Sequence, residues 1–322
     1  MPNHTITHAK PAPAPGQTRY LHEQITSWFA DNARELPWRE PQCSPWGIMV
    51  SEFMLQQTPV VRVLPVWEQW MQRWPTPAAL AAEPSGEALR AWGRLGYPRR
   101  ALRLHSAAAA IVERHGGQVP DTREELLQLP GVGTYTAAAI ASFAFERPET
   151  VVDTNIRRVH ARAVTGNALP APSLTSAEMK LATALMPGRE TKAWNAAVME
   201  LGALVCTARS PKCGSCPVRE QCAWIAAGQP EPHYVPKGQA WAGTDRQVRG
   251  AMMAVLREAE MPVLREVLLG TVDLVDHGSG HALHLTKLRS LGASDEQLAR
   301  SLDGLLADGL AETAGAGVRL PN

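Results

Sequence analysis

The sequence contains no apolar run near the roughly 20 residues that a membrane-spanning helix requires. Its N-terminus also lacks the apolar core of a signal peptide. These absences lead us to expect a cytoplasmic protein. Neither charge sign dominates: 32 Lys and Arg balance 31 Asp and Glu, a formal net charge of +1. Binding to nucleic acid through a general positive field is thereby excluded, and any such footprint has to be local. Sustained two-residue alternation of apolar and polar side chains is scarce, which argues against a large sheet. Cysteine is sparse too. Cys43 stands alone, and the other four fall within Cys206–Cys222. In a reducing compartment such a cluster points to a metal site rather than to disulfides.

What is present favours helix. The chain is 45% hydrophobic and rich in Ala, Leu and Arg, and its 322 residues suggest about two domains. The Pro- and Ala-rich residues 1–18 read as a disordered tail. From Tyr20 a helix carries Leu21, Ile25, Trp28 and Phe29 at helical spacing. Gly47–Gln57 reads as a helix bearing one acid, Glu52, among Ile48, Met49, Val50, Phe53, Met54 and Leu55. Glu52 either points outward or is buried and paired, because an unpaired buried acid is costly. Gln56-Gln57-Thr58-Pro59 follows, with two amides able to reach base edges. Further helices are expected over 60–73, 76–82, 86–92 and 100–115. Tyr97 before Arg99 and Arg100 suits a contact to backbone and base, or simple packing on a helix end.

The centre of the chain is Leu129-Pro130-Gly131-Val132-Gly133-Thr134-Tyr135-Thr136, a tight turn between a short helix over 122–129 and an apolar one over 135–145. Its glycines permit positive φ and close approach by another backbone. The N–H groups opening the second helix form an anion site suited to DNA phosphate, or merely a corner without a ligand. Asp153-Thr154-Asn155 precedes a helix over 156–164 that Arg157, Arg158 and Arg162 make locally basic. Asp153 or Asn155 could serve only as its N-cap. Two helices fill 173–204. The cysteines then read C-x6-C-x2-C-x5-C, a compact loop that suits a cubane [4Fe–4S] cluster at least as well as zinc.

Residues 229–243 form a Pro- and Gly-containing linker. The remainder, 244–322, shows helices over 244–258, 263–269 and 294–308, then a turn between extended segments over 311–320. That order is winged-helix-like. The segment 271–292 has no clear assignment, and His277, His281 and His284 within it read as solvated rather than as ligands, since no Cys or acid cluster accompanies them. Acidic side chains on 294–308 make that helix poorly suited to a DNA groove.

Glu52 in SEFMLQQT, the LPGVGTYTA hairpin, Asp153 some twenty residues later and the four-cysteine loop stand together in one order. Over residues 20–225 they resemble the helix-hairpin-helix DNA glycosylase superfamily with an iron–sulfur loop. Within it the E-x-M-L-Q-Q-T helix resembles that of the MutY-type adenine DNA glycosylases. The endonuclease III branch carries, at the position of Tyr135, a Lys that forms a Schiff base with the sugar. The resemblance therefore implies an all-α fold: a six-helix barrel module and an iron–sulfur cluster module over 19–228, followed by the small winged-helix-like domain.

The resemblance further implies a monofunctional base excision repair enzyme hydrolysing adenine opposite 8-oxoguanine or guanine. Glu52 would be the acid, Asp153 the anion beneath the oxocarbenium sugar, and Tyr135 and Asn155 the positioning groups. Cys206, Cys213, Cys216 and Cys222 would hold a [4Fe–4S] cluster. Arg39, Gln57, Tyr97, Gly131, Gly133 and Thr134 would contact double-stranded DNA, joined by Arg209, Lys212 and Arg219 of the iron–sulfur loop. A monomeric, nucleoid-associated bacterial-type enzyme without a membrane partner is expected. The alternatives are a glycosylase of another mismatch, such as thymine opposite G, and a DNA-binding protein without catalysis. Familiar members carry a larger, Nudix-like C-terminal domain that this chain does not resemble.

Overall fold

The computed structural model describes residues 15–235, 238, 240–272 and 281–322. Residues 1–14 of the expected tail, and His277, lie outside the described residues. In chain order the helices are α1 (Pro15–Asn32), α2 (Pro45–Leu55), α3 (Val60–Arg73), α4 (Pro77–Ala81), α5 (Ser85–Trp92) and α6 (Arg99–His115). Then come α7 (Arg123–Leu126), α8 (Thr134–Phe145), α9 (Thr154–His160), α10 (Ser176–Ala184), α11 (Thr191–Leu204) and α12 (Ala223–Ala226). The C-terminal part holds α13 (Asp245–Glu258), α14 (Arg265–Leu269), α15 (Ala282–Arg289) and α16 (Asp295–Ala307). Three short strands, β1 (Val263–Leu264), β2 (Glu312–Ala314) and β3 (Gly317–Arg319), make one antiparallel sheet in the order β1-β3-β2. Residues 15–18 are helical, so the tail ends earlier than expected.

The chain forms two compact units. One contains residues 1–43, 121–127 and 132–237. Its core gathers Leu21 and Ile25 of α1, Ala138 and Ala139 of α8, Ile156 and Val159 of α9, and Trp194, Ala197, Val198 and Leu201 of α11. The apolar spacing of α1 puts Leu21 and Ile25 on one buried face, as its sequence predicts. Beyond His160 the helix widens into a π-helical turn, Ala161–Thr165, closed by Gly166 in the left-handed conformation.

The other unit contains residues 44–120, 128–131 and 238–322. Trp70, Trp74 and Trp92 are its largest fully buried side chains. The Trp70 ring meets Trp74 edge-on at 4.9 Å and Trp92 at 5.6 Å. The C-terminal segment does not stand apart from this helical block. Arg257 Nε of α13 donates to the Leu89 carbonyl at 2.9 Å, and Gly86 N donates to the Pro321 carbonyl at 2.7 Å. Any side chain at residue 86 would collide with that carbonyl, because a Cβ would lie 2.4 Å from it. One boundary between the units falls inside the expected linker 229–243, between residues 237 and 238, and the segment after it shares a unit with residues 44–120. Within the segment, the helices α13, α14 and α16 with the β2–β3 hairpin follow the expected winged-helix-like order. The previously unassigned stretch supplies α15, which packs Leu285 and Leu288 inward. No helix among the described residues is long and apolar enough to cross a membrane.

Candidate active site and metal centre

Helix α2 starts at Ser44, whose side chain accepts the Gly47 N–H, with Pro45 in the first turn. Every residue from Trp46 to Met54 is buried. The helix has no outward face, and the outward alternative for Glu52 is overturned: the residue is 6% exposed, with Met49, Val50, Phe53 and Met54 at 0–1% around it. An acid so placed is shielded from bulk water.

At the end of α2 the chain turns sharply. Gln57 is exposed with φ +55° and Tyr97 is 47% exposed with φ +47°. Both are non-glycine residues in the left-handed region, a strained choice that clusters at functional sites. One buried side chain ties the two loops together. Arg100 Nη1 donates to the carbonyls of Phe53 (2.9 Å), Met54 (3.1 Å) and Gln56, and Nη2 donates to Thr58 Oγ1 (2.9 Å) and the Gly96 carbonyl (3.1 Å). Arg100 thus caps the open carbonyls of α2 while holding the Tyr97 loop beside Gln57. Burial pushes its guanidinium down to about 10. The pair Arg99–Arg100 is consequently no DNA-facing pair. Arg100 is 5% exposed, and Arg99 pairs with Asp308.

The hairpin begins at Thr122, whose side chain caps α7. Gly131 has φ +75°, and a Cβ there would lie 2.6 Å from the Cβ of Arg103, so the position admits only glycine. Gly133 is extended at the N-cap of α8, and no side chain caps that helix. Thr134 is exposed and Tyr135 half-buried at its first turn.

Asp153 is the N-cap of α9: its Oδ1 accepts the Ile156 N–H at 2.6 Å. The capping reading is therefore correct, but the carboxylate has a second oxygen in use. Asn155 Nδ2 donates to Asp153 Oδ2 at 2.7 Å, and Arg158 Nη2 donates to Asn155 Oδ1 at 2.8 Å. Arg158 Nε in turn donates to the Cys206 carbonyl at 2.7 Å and its Nη2 to the Gly202 carbonyl at 2.6 Å. Gly202 is required here, since a Cβ on it would lie 2.7 Å from that of Asn155. The helix N-terminus alone would favour the ionised Asp153. Burial outweighs it and raises the carboxyl above the ordinary aspartate value, against the hydrogen bonds from Ile156 and Asn155 and the charge of Arg158.

The same chain of bonds reaches the cysteine loop. Arg162 Nη1 lies 3.5 Å from Cys206 Sγ and donates to the Thr207 carbonyl at 2.7 Å, while its guanidinium sits 4.8 Å from the Trp224 ring centre. Cys206, Cys213, Cys216 and Cys222 are all free of disulfides. Burial pushes the Cys216 thiol up to about 11, and the other three thiols of the loop add to the shift. Among the described residues no three His, Cys, Asp or Glu side chains are arranged to hold a single metal ion. A lone tetrahedral zinc would need sulfurs about 3.8 Å apart, as its Zn–S distance dictates. A cubane carries each thiolate on a separate iron. Arg209, Lys212 and Arg219 are exposed on this loop.

Residues 50–183 match the HhH-GPD superfamily of base excision DNA repair proteins, and residues 206–222 match the iron–sulfur binding domain of endonuclease III. The adenine DNA glycosylase of Mycobacterium tuberculosis is 52% identical over 267 residues, which cover 82% of this chain and 87% of the relative. The chain belongs to the adenine DNA glycosylases. Among solved structures, a thermostable thymine-DNA glycosylase aligns with TM-score 0.60 at 27% identity, covering 66% of this chain and 98% of that one. A trapped endonuclease III–DNA covalent intermediate aligns with TM-score 0.59 at 26% identity, covering 68% and 100%. The glycosylase is a base excision repair enzyme and carries a [4Fe–4S] cluster.

Several arginines that the sequence presents as DNA-facing are consumed inside the glycosylase. Arg39, expected to contact double-stranded DNA, donates through Nη2 to Glu200 Oε2 at 2.9 Å, and Arg34 makes two bonds of 2.7 Å to the same carboxylate. Arg157 bonds Glu178, and Arg158 and Arg162 are buried, so α9 is not a basic surface. Glu200 itself escapes sequence reasoning. It lies in an amphipathic helix with no motif, yet it is 0% exposed. Burial would raise its carboxyl, but the bonds from Arg34 and Arg39 prevail and hold it down at about 2. The unfolded chain takes up a proton near 4.5 and the folded one only near 2, so this group stabilises the fold above pH 4.5 and loses that contribution between pH 4.5 and 2. Urea unfolding across that window should show a loss of about 3 kcal/mol that is missing in Glu200→Gln.

Proposed function

We propose that this adenine glycosylase is monofunctional and acts as a monomer on double-stranded DNA, excising adenine opposite 8-oxoguanine or guanine. The observation that carries this reading is the burial of Glu52 in a helix without an outward face. An adenine inside the duplex has to leave the stack before a side chain can reach its glycosidic bond. Gln57 and Tyr97, held in strained conformations by Arg100, are suited to fill the space it vacates. Gly131, Gly133 and Thr134 supply backbone contacts to phosphate. The internal pairing of Arg39 assigns that residue to the scaffold.

In the reaction Glu52 donates a proton to a ring nitrogen of adenine as the C1′–N9 bond breaks. The electron pair of that bond leaves with the base. The Asp153 carboxylate stabilises the resulting oxocarbenium ion and forms a transient bond to C1′. Water then displaces Asp153, and its proton returns to Glu52. Asn155 fixes the orientation of Asp153, and Tyr135 packs beside the reacting sugar. A phenol cannot form a Schiff base, so no strand scission accompanies base loss. Cys206, Cys213, Cys216 and Cys222 are the proposed cluster ligands. The cluster serves here as a covalent staple that holds the 206–222 loop in shape.

Incubation with an end-labelled duplex containing A opposite G, with and without alkali, tests the reading. Nicks are expected only after alkali. Nicks without alkali would contradict it, and nicks only in a duplex with T opposite G would favour the other mismatch.

A further inference from the structure

Within the second unit, the C-terminal segment is fastened to the helical block at several points. Arg257 Nε donates to the Leu89 carbonyl, Arg90 Nη2 donates to the Ala259 carbonyl at 3.3 Å, and Gly86 N donates to the Pro321 carbonyl. These three bonds all end on α5. The ion pair between Arg99 and Asp308 ends elsewhere. Arg99 opens α6 and stands two residues after Tyr97. Asp308 closes α16 as its C-cap.

A carboxylate at the C-terminus of a helix meets the negative end of the helix dipole and is disfavoured there. The Asp308 side chain is nevertheless only 17% exposed, and both of its oxygens are in use. Oδ1 accepts from Arg99 Nη2, and Oδ2 accepts from Arg249 Nη2 of α13. Gly304, one turn earlier on α16, leaves room for the second of these arginines, because a Cβ there would lie 2.9 Å from Arg249 Nη1. Burial and the nearby charge of Arg99 both push the Arg249 guanidinium down, while Asp245 acts in the opposite direction. Without Asp308, two guanidiniums would face each other unneutralised. The two arginines are what hold the acid against the helix dipole.

The loop that this pair reaches carries Tyr97 with φ +47°, a conformation that persists only where its surroundings fix it. From the turn after α2, Thr58 Oγ1 donates to the Leu95 carbonyl at 3.2 Å, and Arg100 donates to the Gly96 carbonyl at 3.1 Å. From α5, Trp92 Nε1 donates to the same Gly96 carbonyl at 2.9 Å. These bonds fix the residues before Tyr97. Asp308 holds the chain after it, through Arg99.

We infer that Asp308 is a positioning residue: set between Arg249 and Arg99, it fixes the far side of the Tyr97 loop from the C-terminal segment. The inference rests on the proposed function for what the loop does, since Tyr97 is assigned there to the space that the extruded adenine vacates. It gives the acidic helix α16 a part in the reaction without any contact to DNA.

Two measurements on the full chain test it. The first is amide hydrogen exchange without DNA. Asp308→Ala is expected to speed exchange in peptides over residues 93–98 by about five- to tenfold. Asp303→Ala serves as the control, because it removes an acid of the same helix whose partner, Arg265, lies within the C-terminal segment. It should leave that loop at the wild-type rate. Asp308→Asn, which keeps the size of the side chain, replaces the alanine variant if the latter does not fold. The second measurement is single-turnover adenine release at saturating duplex. Asp308→Ala should be slower by about tenfold through misplacement of the loop. Asp308→Glu, whose carboxylate still reaches both arginines, should restore the wild-type rate. Adding Arg99→Ala to Asp308→Ala should slow release no further, since both remove one contact. Loop exchange at the wild-type rate in Asp308→Ala, a rise shared by every peptide of the unit, or a wild-type release rate alongside a loosened loop overturns the inference. If the loop responds as expected but the wild type releases no adenine, the proposed function fails and the Asp308 clamp on the loop stands.

Discussion

Replacing Glu52 with Gln is expected to slow adenine release by about 10²–10⁴-fold while leaving duplex binding within about twofold. The substitution keeps the size of the side chain and its place within the apolar wall of α2, but it removes the only proton the residue can give. The adenine leaving group needs that proton, since an anionic purine is a poor leaving group. The variant should also unfold close to the wild type, because an amide is less costly to bury than an acid. Single-turnover release and duplex affinity measured side by side separate the two effects. Unchanged release in Glu52→Gln would remove Glu52 from the chemistry.

The second large effect is expected for Asp153→Asn. Asparagine caps a helix about as well as aspartate, so α9 and its Ile156 N–H bond should survive. What disappears is the negative charge, and an electrostatic stabiliser of this kind contributes about 10²–10³-fold. A drop of that size with an unchanged melting temperature identifies a catalytic charge; a drop in both identifies a structural one. Asp153 also sets an acid limit. Its carboxyl is raised by burial above the ordinary aspartate value of 3.8. The reaction needs the ionised form, so release should decline on the acid side at a higher pH than an unperturbed aspartate would give.

The parts of this site that were legible in the sequence are those built from short contiguous motifs. The hairpin glycines, the acid of α2, the aspartate before α9 and the cysteine spacing each announce a local geometry. The helical pattern of α3 from Val60 to Arg73 was likewise readable, because apolar spacing alone sets it. The C-terminal helix–hairpin order was legible for the same reason, although its attachment to α5 was not. That attachment depends on single long-range bonds from Arg257 and Gly86, which leave no periodic trace.

The arginines were the least legible residues. Arg39, Arg100, Arg158 and Arg162 all stand in stretches that suggest a basic surface. Each is instead used to satisfy carbonyls or a buried carboxylate, and each has at least one partner tens of residues or more away. A guanidinium has five donors in a fixed fork and can staple several open carbonyls at once. Charge in a sequence therefore locates an arginine without saying whether water, protein or DNA receives it.

The central claim is that Glu52 and Asp153 serve a monofunctional adenine glycosylase. Single-turnover adenine release from a duplex with A opposite 8-oxoguanine, with A opposite guanine in parallel, tests it most directly. The account predicts that free adenine appears from these duplexes and that strands break only after alkali. No adenine from either duplex, or strand breaks in step with base release before alkali, would contradict it.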